Sequence, residues 1–209
     1  MEDIVIHNAM GVCSAEEDTR ILARVCAEEA PAGGRVLDVG TGTGYVAIYL
    51  AKRGLEVEAT DVSERALQVA GANIQRNQVP VRLYRSDLFQ AVRGEFDVIA
   101  FNPPMNPRET ELTRWVTSFL RRHRRTADLL MRAFDRWLQG SRMSFLMGFM
   151  EQAQGHLRPG GCVVLEATRA ELDALEKGLS SWQICRRVDI PSLPAEQIAV
   201  FRPSGERGV

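Results

Sequence analysis

Four runs of apolar residues in the first half of this 209-residue chain each end on side chains suited to chemistry. Val36 to Val39 runs into Gly40-Thr41-Gly42-Thr43-Gly44, and Leu55 to Thr60 runs into Asp61. Val81 to Tyr84 is followed by Ser86-Asp87-Leu88, and Phe96 to Phe101 runs into Asn102-Pro103-Pro104-Met105. Short apolar runs of this kind read as buried strands. Ligands of an open parallel sheet bind beyond the carboxyl ends of its strands, so all four marked ends fall where a ligand would sit. The glycines let backbone approach a ligand where a Cβ would collide. Asp61 can accept hydrogen bonds from a ribose diol, and Asp87 can accept from an adenine amino group.

Two kinds of nucleotide ligand compete for this pattern. A dinucleotide fingerprint wants Gly or Ala three residues after its second glycine, and here Gly42 is followed at that spacing by Tyr45. Asp38, two residues before Gly40, would also repel a pyrophosphate. The same carboxylate suits the ammonium and sulfonium cations of S-adenosylmethionine, which is the cofactor these residues favour. The bland alternative is a bare glycine turn with aspartates capping helices. Marks at four strand ends weigh against it.

The whole chain resembles the class I S-adenosylmethionine-dependent methyltransferases. Within that class, Asn102-Pro103-Pro104-Met105 resembles the Asn-Pro-Pro-aromatic motif of amino- and amide-methylating enzymes, among them adenine and guanine methyltransferases and HemK-type glutamine methyltransferases. Val12-Cys13-Ser14-Ala15-Glu16-Glu17-Asp18-Thr19 resembles a Pro-Ala-Glu-Asp-Thr segment of short HemK-like proteins. The resemblance implies cofactor contacts from Asp18, Thr19, Asp38, Gly40, Thr41, Gly42, Gly44, Asp61, Val62, Asp87, Leu88 and Asn102. It implies catalytic roles for Asn102, Pro103, Pro104 and Met105. An amide or arylamine nitrogen delocalises its lone pair and is a poor nucleophile. By resemblance, the Asn102 oxygen and the Pro103 carbonyl accept its two hydrogens and aim the lone pair at the methyl carbon. Met105 departs from the usual Tyr or Phe. It contacts a flat target less strictly, and Phe101 or Trp115 could supply the missing face.

Positioning these residues takes alternating strands and helices. Helical spacing follows the glycines and Asp61: Tyr45 to Lys52, then Ser63 to Asn77. A first helix precedes the glycines, opening at Ser14 with Glu17 in capping-box position. Met143 to Leu157 forms another helix, stopped by Arg158-Pro159-Gly160-Gly161. Cys162 to Ala167 makes a fifth strand, and Leu172 to Leu179 a helix. Ile184 to Ile190 and Gln197 to Arg202 make two closing strands, joined as an antiparallel hairpin. The expected fold is α/β: a Rossmann-like seven-stranded, mostly parallel sheet with helices on both faces and the last strand antiparallel. One methyltransferase domain is expected over 1–209, with 106–142 as a helical insertion or lid inside it.

That insertion is arginine-rich. Residues 114–142 hold eight arginines against two aspartates, or +6, so the net charge of −1 leaves −7 for the rest. Arg121-Arg122-His123-Arg124-Arg125 could contact nucleic-acid phosphates, an acidic protein, or an anionic small molecule. It reads equally well as a solvated face or a subunit or homodimer interface. Substrate contacts are expected from Met105, Trp115, Arg121 and Arg122. The four cysteines are scattered and no metal-ligand spacing exists, so no metal is expected. An acidic start and the lack of a long apolar run point to a cytoplasmic chain with no membrane segment. The leading function is N-methylation of a protein glutamine or a nucleobase. The alternatives are a small-molecule amine methyltransferase of specialised metabolism and a non-catalytic, cofactor-binding partner module.

Overall fold

The computed structural model describes residues 4–8, 12, 16–103 and 128–205, with only the backbone given for 128–139 and 141. The chain divides into two compact units, Met1–Pro103 with Glu151–Val209, and Pro104–Met150. The first unit holds a seven-stranded sheet in the order β3-β2-β1-β4-β5-β7-β6. Its strands are β1 Arg35–Val39, β2 Glu56–Asp61, β3 Val81–Arg85, β4 Phe96–Phe101, β5 Leu157–Thr168, β6 Trp182–Asp189 and β7 Glu196–Pro203. Strands β1 to β5 pair in parallel, and β7 runs antiparallel to both β5 and β6. The expected sheet, with its antiparallel last strand, is the observed one.

Alternation along the strands buries both faces. Val36, Val57, Ala59, Val98, Ala100, Cys162, Val164, Ile198 and Val200 pack with helices α1 (Glu17–Glu29) and α2 (Tyr45–Ala51). Residues one step along, such as Leu37, Val39, Ile99, Phe101, Val163 and Leu165, are buried on the other face. There Glu58 is buried too. It accepts from Arg35 Nη2 at 2.8 Å and Tyr84 Oη at 2.8 Å, so its charge is not left bare. Helix α3 (Glu64–Asn77) opens on Ser63, whose hydroxyl accepts from the Ala66 N–H.

Several expectations are corrected. Helix α1 begins at Glu17 with Glu16 as N-cap, later than the expected opening at Ser14, which lies outside the described residues. Glu17 and Asp18 place negative charge in the first turn, where the helix dipole favours it. Helix α4 spans Asp128–Gln154, starting well before Met143. Strand β5 starts at Leu157. Its register slips between Phe96 and Val98 of β4, so Arg158-Pro159-Gly160-Gly161 bulges within the pairing instead of preceding it. Helix α5 (Arg169–Gly178) starts three residues earlier than its apolar spacing suggests, because Thr168 and Glu171 form a reciprocal capping box.

Residues 4–8 run extended along α3. Asn77 exchanges two hydrogen bonds with Val5, at 3.1 and 2.8 Å, and Asn73, one helical turn away, exchanges two with His7, at 2.9 and 3.1 Å. Ile4 and Ile6 pack against Ile48, Ala70 and Ile74. Among the described residues no helix is long and apolar enough to cross a membrane.

Candidate active site

The order β3-β2-β1-β4 sets the carboxyl ends of the four marked strands side by side. Pairing Asp38 with Ala59 and with Ala100 puts Asp38, Asp61 and Asn102 on one face by alternation, the face that α1 and α2 cover.

The turn after β1 is built from left-handed glycines, with φ of 68° at Gly40, 55° at Gly42 and 82° at Gly44. Gly44 is fixed twice over. A Cβ there would lie 3.2 Å from the Ala70 Cβ, so α3 could not pack as closely against the turn. The Thr41 N–H donates to the Thr60 carbonyl at 2.9 Å. Asp61 ties the loop to the next helix: its Oδ2 accepts from the Gly42 N–H at 3.1 Å and its Oδ1 from the Ser63 N–H at 2.8 Å. Each carboxylate oxygen keeps a second acceptor site.

Asp38 is a buried acid at this edge. The Thr41 hydroxyl donates to its Oδ2 at 2.6 Å. Burial pushes the Asp38 carboxyl from 3.8 up to about 7; the hydrogen bonds from Thr41 and the Ala47 backbone pull it down, and Asp61 adds to the rise. A carboxylate held out of water in this way binds a cation strongly.

Beyond β2 and β3 an open cleft of ≈ 490 Å³ is lined by Val62, Arg85, Ser86, Asp87, Gln90 and Ala91. Val62 leaves 56% of its surface exposed there, an apolar side chain with no cover. Leu88 sits at φ 46°, a strained backbone for a residue with a side chain. Ser86 braces that turn, donating to the Leu88 carbonyl at 2.7 Å and accepting from the Ala91 N–H at 3.0 Å.

At the end of β4, the Asn102 Nδ2 donates to Asp18 Oδ2 at 3.1 Å, and the Thr19 hydroxyl lies 3.4 Å from Asp18 Oδ1. Residues far apart in sequence, from α1 and β4, thus meet. Pro103 is buried beside them in the chain. Pro104, Met105, Trp115, Arg121 and Arg122 lie outside the described residues. Acceptors dominate this edge, which suits a ligand bringing N–H, O–H and positive charge.

Two residues escaped the sequence reading. Glu166 is buried on β5, one step beyond the Phe101–Leu165 pair and so level with Asn102. Its signal was a lone carboxylate in Val163-Val164-Leu165-Glu166-Ala167. Asn73 is also fully buried, and its Nδ2 donates to the Thr43 carbonyl in the glycine turn at 2.9 Å. An asparagine on the buried side of α3, at helical spacing from Ala66 and Ala70, was the mark there.

The family model for the methyltransferase small domain matches residues 3–128, which include the glycine turn, both aspartate ends and the Asn-Pro-Pro segment. The chain belongs to the methyltransferase small domain family. This methyltransferase small domain is 28% identical over 139 residues to ribosomal RNA small subunit methyltransferase C of Alcanivorax borkumensis, covering 65% of this chain and 40% of that one. It is 42% identical over 73 residues to a provisionally named protein N5-glutamine methyltransferase of Methanocaldococcus jannaschii, covering 34% of this chain and 37% of that one. The chain thus spans well under half the length of either curated relative. Among solved structures, the ribosomal protein L11 methylase of Lactobacillus delbrueckii subsp. bulgaricus superposes with a TM-score of 0.65 at 23% identity, over 93% of this chain and 82% of that one. That likeness is one of fold.

Proposed function

We propose that this chain is an S-adenosylmethionine-dependent methyltransferase that modifies an amide or amino nitrogen, on a protein glutamine or a nucleobase, in the cytoplasm. The observation that carries this reading is the Asn102 amide. It stands on the same sheet edge and the same face as the buried Asp38 and the glycine turn, with its Nδ2 already engaged by Asp18. Its oxygen is then the atom left to accept.

The residues present suit the cofactor. Asp38 offers a buried negative charge to the ammonium and sulfonium, Asp61 offers acceptors to a ribose diol, and the glycine turn leaves room for close approach. Thr19, Thr41, Val62, Asp87 and Leu88 complete the proposed cofactor contacts, with Val62 giving an apolar face beside Asp87. Bound there, the cofactor supplies a methyl group whose bond to sulfur breaks as the bond to nitrogen forms. Asn102 and the Pro103 carbonyl accept the N–H hydrogens of the target, turn its lone pair toward the methyl group, and need little reorganisation on a rigid strand end. The proton leaves to water once the nitrogen becomes cationic. The 106–142 segment, with Met105, Trp115, Arg121 and Arg122, is proposed as the substrate wall. The names of the relatives, one a ribosomal RNA methyltransferase and one a glutamine methyltransferase, support a macromolecular substrate.

The test is transfer of labelled methyl from S-adenosylmethionine into an extract of the source cells, sorted into protein, nucleic acid and small molecules. Label on protein or nucleic acid is expected, and label confined to small molecules would overturn the substrate class. Asn102→Ala should lower transfer by roughly a hundredfold or more while cofactor affinity by calorimetry stays nearly intact. Full activity in that variant would remove Asn102 from the reaction.

A further inference from the structure

We propose that Asp18 is a positioning residue for Asn102: it sets which end of the asparagine amide faces the substrate. This rests on the reading above, in which Asn102 accepts hydrogens from the target nitrogen.

An asparagine side chain has two ends of similar shape and opposite polarity. Only the oxygen can accept a hydrogen from the target; a flipped amide would present two donors to two donors. A carboxylate accepts and never donates, so whatever lies within hydrogen-bond distance of Asp18 Oδ2 must be the Nδ2 end. At 3.1 Å, that contact excludes the flipped rotamer by charge, without any steric wall. The strand alone would not do this, because β4 ends at Phe101, one residue before Asn102.

Asp18 is held firmly enough for the task. It lies in the first turn of α1, and Leu22, Val25 and Cys26 of the same helix are fully buried. The helix start is tied down where the Ser192 N–H donates to Glu17 Oε2 at 3.0 Å. The far end is tied where Arg202 Nη2 donates to Glu29 Oε2 at 2.7 Å. Both Asp18 oxygens face neighbours within the chain, Asn102 and Thr19. That arrangement assigns Asp18 to the asparagine rather than to the cofactor contact that its sequence motif suggested.

The experiment reads the Asn102 side-chain amide directly. Its pair of proton–nitrogen resonances is located by its loss in Asn102→Asp. In Asp18→Ala those resonances should shift, and their exchange with water should quicken by about tenfold or more, the scale of losing one charge-assisted hydrogen bond. Affinity for S-adenosylmethionine should stay within about twofold, and methyl transfer should fall by about tenfold to a hundredfold. Asp18→Asn preserves shape and guards against a misfolded alanine variant. It should give intermediate resonances and rates, since an amide can accept from Nδ2 or donate to Oδ1. Unchanged Asn102 resonances in both variants would overturn the proposal. So would unchanged resonances with cofactor affinity lost, the mark of a direct cofactor contact. If the wild-type protein neither binds S-adenosylmethionine nor transfers label, the functional reading fails by itself, and the resonances still judge the Asp18–Asn102 pairing.

Discussion

Asp38 shows how one residue converts burial into chemistry. Burial raises its carboxyl from 3.8 to about 7, so between those values the folded chain holds a proton that the unfolded chain has lost. The stability from this group is complete below about pH 4 and is lost as pH rises toward about 7. Chemical denaturation of the ligand-free protein should show that decline, and Asp38→Asn should flatten it. Cofactor affinity should run the other way. A cation needs the ionised acid, so binding should tighten as pH climbs through about 7 and lose that dependence in Asp38→Asn. Asp61 carries a double duty, holding the Gly42 and Ser63 N–H groups while offering acceptors outward. Asp61→Ala should weaken S-adenosylmethionine binding by about 1–3 kcal/mol in calorimetry. Unchanged affinity would mean that neither the loop nor the ribose depends on it. These two side chains were legible in sequence, because each follows or closes an apolar run at a strand end. Glu166 and Asn73 were not. Their importance lies in which neighbours the sheet order and helix packing bring to them.

At the scale of elements, the asparagine-held N-terminal strap is the least expected feature. A short apolar run, Ile4-Val5-Ile6, would serve as a strand in many contexts. Here it pairs with side chains instead of backbone: Asn73 and Asn77, four residues apart on α3, each present a donor and an acceptor to one extended residue. Asn73 also reaches the Thr43 carbonyl, so the strap and the glycine turn share one buried amide. Asn73→Ala should cost about 1–3 kcal/mol of stability by leaving the buried Thr43 carbonyl and the part-buried His7 backbone groups without their partner. Hydrogen exchange at the His7 amide should quicken in the same variant. Slow exchange at His7 in Asn73→Ala would show that apolar contact alone holds the strap. Helix boundaries divided along similar lines. Apolar spacing located the helices, while their first residues depended on caps. Thr168 with Glu171 formed a box that spacing did not reveal, and α1 opened at Glu17 rather than at the box position that spacing offered.

For the whole molecule, family and fold argue for a ligand that binds the native sheet and not the unfolded chain. S-adenosylmethionine at a hundred times its dissociation constant should then stabilise by about 2.7 kcal/mol. For a domain of this size that is a rise of about 5–10 °C in melting temperature. A dinucleotide at equal concentration should give none, since Asp38 opposes a pyrophosphate. An equal or larger shift with the dinucleotide would reverse the cofactor assignment. By itself the sequence determined the α/β class, the seven strands, the antiparallel closing hairpin and the residues at each strand end. Alternating apolar runs and glycine or proline breaks are local signals, written within a few residues. Only the tertiary structure decided that β4 lies beside β1 and that α1 brings Asp18 onto Asn102. Those contacts join residues more than sixty positions apart, and packing both faces of one sheet selects them.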